Sequence, residues 1–318
     1  LENVSHDPAQ EYFVDGMTEA LISDLSRLKD LRVISRTSAM RYKGVHKALP
    51  DIARELNVDV ILEGSALLLG KRVRISIQLV SARRDETLWN ERYDRDLEDV
   101  LDLQSEVAAK VAGEIALRVT PREAKRLAKR QSVKPEAHIE YLKGQHISAA
   151  TSPQAIELSL RHFQRALELD PDFAPAWAGL AHCHNVRASR GMAPPAEAFD
   201  AARSAARRAL ELDDSLAEGH AELGWLESCQ GDLKGSMRSL ERAIELNPGL
   251  TSAYTVLGRI YYCTERHAEA RATMLKALSL DPLSMIIHTT VGDACYYARE
   301  YEKSVTYYRK AIELDPRF

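Results

Sequence analysis

Two rhythms of apolar and polar positions divide this chain. From Arg72 to Val80 the alternation is strict, with Val73, Ile75, Ile77 and Leu79 on one face and Arg72, Arg74, Ser76 and Gln78 on the other. A period of two marks a half-buried antiparallel strand. Before it, Val58 to Leu69 reads as a strand leading into Gly70-Lys71, a hairpin turn. After it, Arg83-Arg84-Asp85-Glu86 reads as a polar turn and Thr87 to Tyr93 as the next strand. Helical spacing brackets these strands. Asp15 to Leu28 predicts a helix with Asp15 as N-cap and an apolar stripe of Met17, Leu21, Leu25 and Leu28. Leu31 to Arg36 reads as a short strand and Leu49 to Leu56 as a second helix. Leu97 to Arg118 reads as a long helix with Val100, Leu103, Val107, Val111 and Ile115 on one face. These elements predict a small α/β domain with a mixed sheet over residues 1–120.

Beyond about residue 135 the pattern becomes wholly helical and repeats itself. Ala-Leu-Glu-Leu-Asp-Pro at 166–171 returns near 209, 243, 277 and 311, in steps of 43, 34, 34 and 34 residues. Each copy ends in Asp or Asn, mostly followed by Pro, which stops a helix and disfavours helix in the residue before it. Small residues recur where two helices of a unit would cross: Ala181, Gly224, Gly258 and Gly292, then Ala202, Ser236, Ala270 and Ser304. They let helix axes approach closely. Between them sit larger packing residues: Leu180, Leu223, Leu257 and Val291, then Leu240, Met274 and Tyr308. These positions resemble the tetratricopeptide repeat, whose period is 34 residues. The resemblance covers about 135–318, in roughly five units, and implies an all-α solenoid. The 43-residue step leaves nine extra residues around Ala188 to Phe199, expected to protrude as a loop or lengthen the helices.

In that family the first helices of the units line a groove that grips a peptide or protein partner. Carried over, the groove positions are Ala178, His182 and Asn185, then Ala221, Trp225 and Ser228. The next units supply Thr255, Arg259 and Tyr262, then Thr289, Asp293 and Tyr296. The eight expected contact residues are His182, Asn185, Trp225, Ser228, Arg259, Tyr262, Asp293 and Tyr296, because Trp, Tyr and Arg dominate binding hot spots. Ala and Thr stand where chaperone-binding relatives clamp a terminal carboxylate, so that specialised mode is not expected.

The front segment has its own likeness. It rests on Glu11-Tyr12-Phe13-Val14-Asp15-Gly16-Met17-Thr18-Glu19, Val33-Ile34-Ser35-Arg36-Thr37-Ser38, Tyr42-Lys43-Gly44 and Leu62-Glu63-Gly64-Ser65. Arg72-Val73-Arg74-Ile75, Gln78-Leu79, Leu88-Trp89 and Tyr93-Asp94-Arg95 continue it. This order resembles the TolB amino-terminal-like domain of bacterial signalling proteins, found there ahead of tetratricopeptide repeats. The resemblance implies an output module elsewhere in the protein: a winged-helix transcriptional regulator, a Ser/Thr kinase or a nucleotide cyclase. A membrane span often separates that module from this region, which would place it on the extracytoplasmic side; soluble relatives would place it in the cytoplasm. Both ends of the chain are expected to continue in the full protein.

Composition narrows the function further. A net charge of −4 supplies no basic face for nucleic acid, so none is expected to bind. The run 121–134 holds Arg122, Lys125, Arg126, Lys129, Arg130 and Lys134 but no aromatics, and reads as a solvated linker helix. The most apolar run, Val58 to Leu69, is broken by Asp59 and Glu63, so any membrane attachment would lie outside this chain. Cys183, Cys229, Cys263 and Cys295 read as small buried residues. His182-Cys183-His184 cannot converge on one ion from a helix. The hydroxyls of Ser35-Arg36-Thr37-Ser38 read as satisfying a loop backbone. No nucleophile–base constellation is present, and neither enzyme activity nor a cofactor is expected. Three readings stand: a sensor and protein-interaction region of a regulator, a self-association scaffold that joins output domains, and a small-molecule sensor in the α/β domain.

Overall fold

The computed structural model describes residues 1–45, 47–115, 120, 133–148, 150 and 152–316. Within them the helices run α1 (Glu11–Ser26), α2 (Arg36–Ala39), α3 (Leu49–Leu56), α4 (Val100–Glu114), α5 (Pro135–Ser148), α6 (Pro153–Leu169), α7 (Ala174–Ser189) and α8 (Pro195–Leu212). Then follow α9 (Ala217–Cys229), α10 (Leu233–Leu246), α11 (Thr251–Cys263), α12 (His267–Leu280), α13 (Met285–Tyr297) and α14 (Tyr301–Leu314). The chain divides into two compact units, one of residues 1–31 and 40–179, the other of 32–39 and 180–318. A small mixed sheet followed by helical repeats is the fold class anticipated from the patterning. Among the described residues no helix is long and apolar enough to cross a membrane.

The sheet lies in the first unit, in the order β1 (Glu2–Asn3), β2 (Val60–Leu69), β3 (Arg72–Ser81) and β4 (Glu86–Asp96). The β1 strand runs parallel to β2, and the other pairs are antiparallel. Gly70 makes the β2–β3 hairpin possible at φ +60°, a conformation costly for other residues. Val73, Ile75, Ile77 and Leu79 are buried, as their alternation demands. On the opposite face of β3, Arg72 and Arg74 both pair with Asp94, at 2.5 and 3.0 Å. Helices α1 and α4 pack on each other and on the sheet, burying Phe13, Met17, Leu21, Leu103, Val107 and Val111.

Two front-segment expectations are corrected. Helix α1 begins at Glu11, and Asp15 lies buried within it instead of capping it. Its carboxylate has partners that replace the cap: Lys43 Nζ at 2.5 Å and His146 Nδ1 at 2.9 Å. Residues 31–35 form no strand. The Ser35 N–H donates to the Leu280 carbonyl at 2.8 Å, so the backbone of this segment bonds a helix end and not the sheet. The expected continuation of the long helix to Arg118 and the basic run up to residue 132 lie outside the described residues.

The helix pairs follow the repeat frame. The first pair, α5 and α6, belongs to the first unit. There Gly16 of α1 meets Leu142 of α5 so closely that a Cβ would stand 2.5 Å from Leu142 Cδ2. In the second unit the pairs α9/α10, α11/α12 and α13/α14 share one device. A Cβ on Gly224, Gly258 or Gly292 would stand 2.6–2.7 Å from Leu240, Met274 or Tyr308 of the paired helix. The small position exists because the large one fills it. The nine extra residues lengthen the helices more than the loop. Helix α7 has 16 residues against 13 in α9, α8 has 18 against 14 in α10, and the joint 190–194 accounts for the rest.

Cysteine placement is corrected in part. Cys183 and Cys295 are buried, but Cys229 and Cys263 are exposed. The latter two are the last residues of α9 and α11, where the helix has already left the packed interior.

Candidate functional site

The residues singled out on the first helices fall into two rows at equivalent positions. His182, Trp225, Arg259 and Asp293 form one, each partly exposed. Asn185, Ser228, Tyr262 and Tyr296 form the other, three residues further on; Asn185 and Tyr262 turn toward the neighbouring helix.

Glu222 of α9 organises the start of both rows. Its carboxylate receives His182 Nδ1 at 2.9 Å and Asn185 Nδ2 at 2.9 Å, and its carbonyl receives Asn185 Nδ2 at 3.1 Å. Burial disfavours the charged His182 ring, yet the Glu222 carboxylate outweighs it and raises the His182 pKa above the usual imidazole value. Sequence reasoning missed Glu222. Its only trace is a carboxylate one helical turn before Trp225, 40 residues from His182.

Asn185 is fully buried, and Tyr262 is 8 % exposed. Both were expected to be surface contacts, and the structure instead uses them in packing. Asn185 spans the gap between α7 and α9. Tyr262 lies flat on Tyr297 of α13, ring centroids 5.1 Å apart at 9°. Burial holds the Tyr262 phenol well above its ordinary pKa. Asp293 accepts the Tyr308 hydroxyl at 2.7 Å, and burial together with that acid pushes the Tyr308 pKa up to about 12. Tyr296 is 53 % exposed and meets Tyr297 and Tyr301 edge-on. Ser228 is partly exposed. The accessible part of the candidate site is therefore His182, Trp225, Arg259 and Asp293 along one row, with Ser228 and Tyr296 beside it. An aromatic, a guanidinium and an acid-paired imidazole can contact the backbone and the acidic or aromatic side chains of a peptide.

Comparison with known proteins adds family context. Residues 6–110 match the second domain of HilA/YgeH-like transcriptional regulators. Residues 251–282 and 286–318 match tetratricopeptide repeats. The chain thus carries a HilA-like regulator domain followed by tetratricopeptide repeats, both non-catalytic kinds of domain. A curated relative, "Putative adenylate cyclase 3" of Rhizobium meliloti (strain 1021), is 33 % identical over 226 residues, 70 % of this chain. The chain spans only 38 % of that relative's length. Among solved structures, TTC0263, a thermophilic tetratricopeptide protein of Thermus thermophilus, is 18 % identical with a TM-score of 0.47. The match covers 57 % of this chain and 92 % of that one. YrrB, a tetratricopeptide protein with an unusual peptide-binding site, is 22 % identical with a TM-score of 0.37, covering 61 % of this chain and 92 % of its own.

Proposed function

We propose that this chain is the non-catalytic sensor and protein-interaction region of a larger bacterial signalling or transcriptional regulator, and that the first-helix row binds a peptide segment of a partner. In this reading residues 1–120 form a TolB amino-terminal-like domain, 121–134 a basic linker and 135–318 the repeat array. The observation that carries it is the row of His182, Trp225 and Arg259, partly exposed at equivalent positions of successive units. Aromatic and arginine side chains on one face are what peptide hot spots use. The regulator-domain match at 6–110 supports the regulatory setting.

Peptides selected from a random library against the full chain test this reading. Trp225→Ala with Arg259→Ala should weaken the selected peptides at least roughly tenfold, as loss of hot-spot side chains does, and leave the unfolding midpoint in place. Equal binding by the double variant would defeat it.

A second reading is self-association that joins output domains, with apolar side chains of α13 and α14 as its candidate surface. Ile286, Tyr297, Tyr301, Val305 and Ile312 are each about half exposed, 46–55 %. Sedimentation that stays monomeric across a wide concentration range would remove it.

A further inference from the structure

Among the described residues, four turns that follow a second helix can be compared, and one departs from the other three. In three of them the capping Asp or Asn accepts the N–H two residues on. Asp170 takes Asp172 at 3.3 Å, Asp213 takes Ser215 at 3.0 Å and Asn247 takes Gly249 at 3.0 Å. In the turn after α12 the corresponding N–H, that of Leu283, donates to Ser38 Oγ at 2.9 Å. Ser38 Oγ in turn donates to Asp281 Oδ1 at 2.5 Å. A hydroxyl from 243 residues upstream has been inserted into the gap that the other turns close directly.

The rest of the segment follows the end of α12. The Ser35 N–H donates to Leu280 O at 2.8 Å, and Arg32 Nη1 donates to Ser279 O at 2.8 Å. The last carbonyls of a helix lack intrahelical donors and carry the negative end of its dipole. An amide and a guanidinium are the groups they accept best. Ser38 and Asp281 are both buried. All these residues belong to the second unit, although residues 32–39 are flanked on both sides by chain of the first.

We infer that the turn Ser279–Leu283 is a two-position switch whose internal ligand is the segment Arg32–Ala39. Engaged, the Ser38 hydroxyl bridges Asp281 and Leu283. Released, Asp281 takes the Leu283 N–H itself, as its counterparts do, so release orphans no buried donor in the turn. Only a group that both donates and accepts fits the gap, which is why a hydroxyl stands there. A partner segment with a hydroxyl residue three positions after a free N–H, and an arginine three before that, would compete for the same place. The inference goes beyond the groove reading and does not depend on it.

Amide hydrogen exchange on the full chain tests it. In Ser38→Ala the Ser35 amide should exchange roughly tenfold faster, the scale on which one net hydrogen bond moves a local opening equilibrium. Leu283 should stay protected because Asp281 closes the turn. Unchanged exchange at Ser35, or loss of protection at Leu283 together with Ser35, would overturn the proposal; the second result would give the turn a single position. A swap keeps the test sharp if alanine packs poorly. Ser38→Asp sets two carboxylates together and should release the segment. Adding Asp281→Asn supplies a donor and should return Ser35 to within a few-fold of its original protection. A double variant no better protected than Ser38→Asp alone counts against the switch.

Discussion

His146 Nδ1 stands 2.9 Å from the carboxylate of Asp15, so the first repeat helix and the first helix of the sheet domain share one buried acid. Lys43 binds the same acid and also Glu11. Burial opposes the Lys43 charge, and its two carboxylate partners overcome that and raise its pKa. Asp15→Ala should cost about 2 kcal/mol, less than the ~3–5 of a fully buried broken pair because Lys43 keeps Glu11. Gly16→Ala should add about 1–3 kcal/mol by forcing α1 off Leu142. Urea midpoints of the two variants check both, and unchanged midpoints would mean that this contact holds nothing.

The repeat glycines should not be equally intolerant of a methyl group. At Gly258 the added Cβ meets the tip of Met274, 2.6 Å from its Cε, and a flexible thioether can swing aside. At Gly224 it meets Leu240 Cγ at 2.7 Å, with the Ser236 carbonyl at 3.2 Å behind. Alanine should therefore cost about 1 kcal/mol at Gly258 and up to about 3 kcal/mol at Gly224. Thermal unfolding of the two variants gives the order directly, and the reverse order would contradict this account of the packing.

His138 gives the fold an acid limit. The ring is buried against Tyr141 and Phe173, and neither nitrogen has a hydrogen-bond partner among the described residues. Burial lowers its pKa from 6.5 to about 4. The unfolded chain therefore takes up this proton first as pH falls. The stability is complete above about pH 6.5 and is lost progressively toward pH 4, roughly 3 kcal/mol in all. His182 works the other way: its pKa is raised, so its share is complete below the unfolded value and lost as pH rises through the folded one. His138→Phe should flatten the acid limb of the midpoint–pH curve and leave the alkaline drift. An unaltered acid limb would place the sensitivity elsewhere.

Thiol labelling should split the cysteines by helix position. Cys229 and Cys263 should react in the native chain, and Cys183 and Cys295 only on unfolding. Partial desolvation of its thiol raises the Cys229 pKa, which leaves less thiolate at neutral pH. Mass spectrometry after a short pulse of an alkylating reagent reads all four, and early labelling of Cys183 or Cys295 would show the array opening.

The strands and the repeats were legible because their patterns are local. Val73 to Leu79 alternates without a fault, and Gly70 marks the turn beside it. The glycines at 224, 258 and 292 announce close helix crossings by their spacing alone. Distant pairing was not legible. Asp15 looks like a cap because a charge ahead of an apolar stripe usually is one; the His146 that buries it lies 131 residues away. Likewise Ser35-Arg36-Thr37-Ser38 suggests hydroxyls and a guanidinium satisfying a nearby loop backbone, and Ser38 instead satisfies the backbone of a turn 245 residues away. For the candidate site the sequence marked the helical positions but not their sides. A three-residue step turns a helix by about 300°, enough to move Asn185 and Tyr262 from a free face into a neighbour.

The eight residues from Arg32 to Ala39 make the two units interleaved in sequence. No single cut of the backbone separates them: a fragment starting at Leu180 would lack a piece of its own packing, and a fragment ending at Gly179 would carry a strip that packs elsewhere. Joining this front domain to a different array would therefore have to carry 32–39 together with a matching 279–283. The boundary between the two parts is a property of the folded chain, with no one point in the gene to mark it.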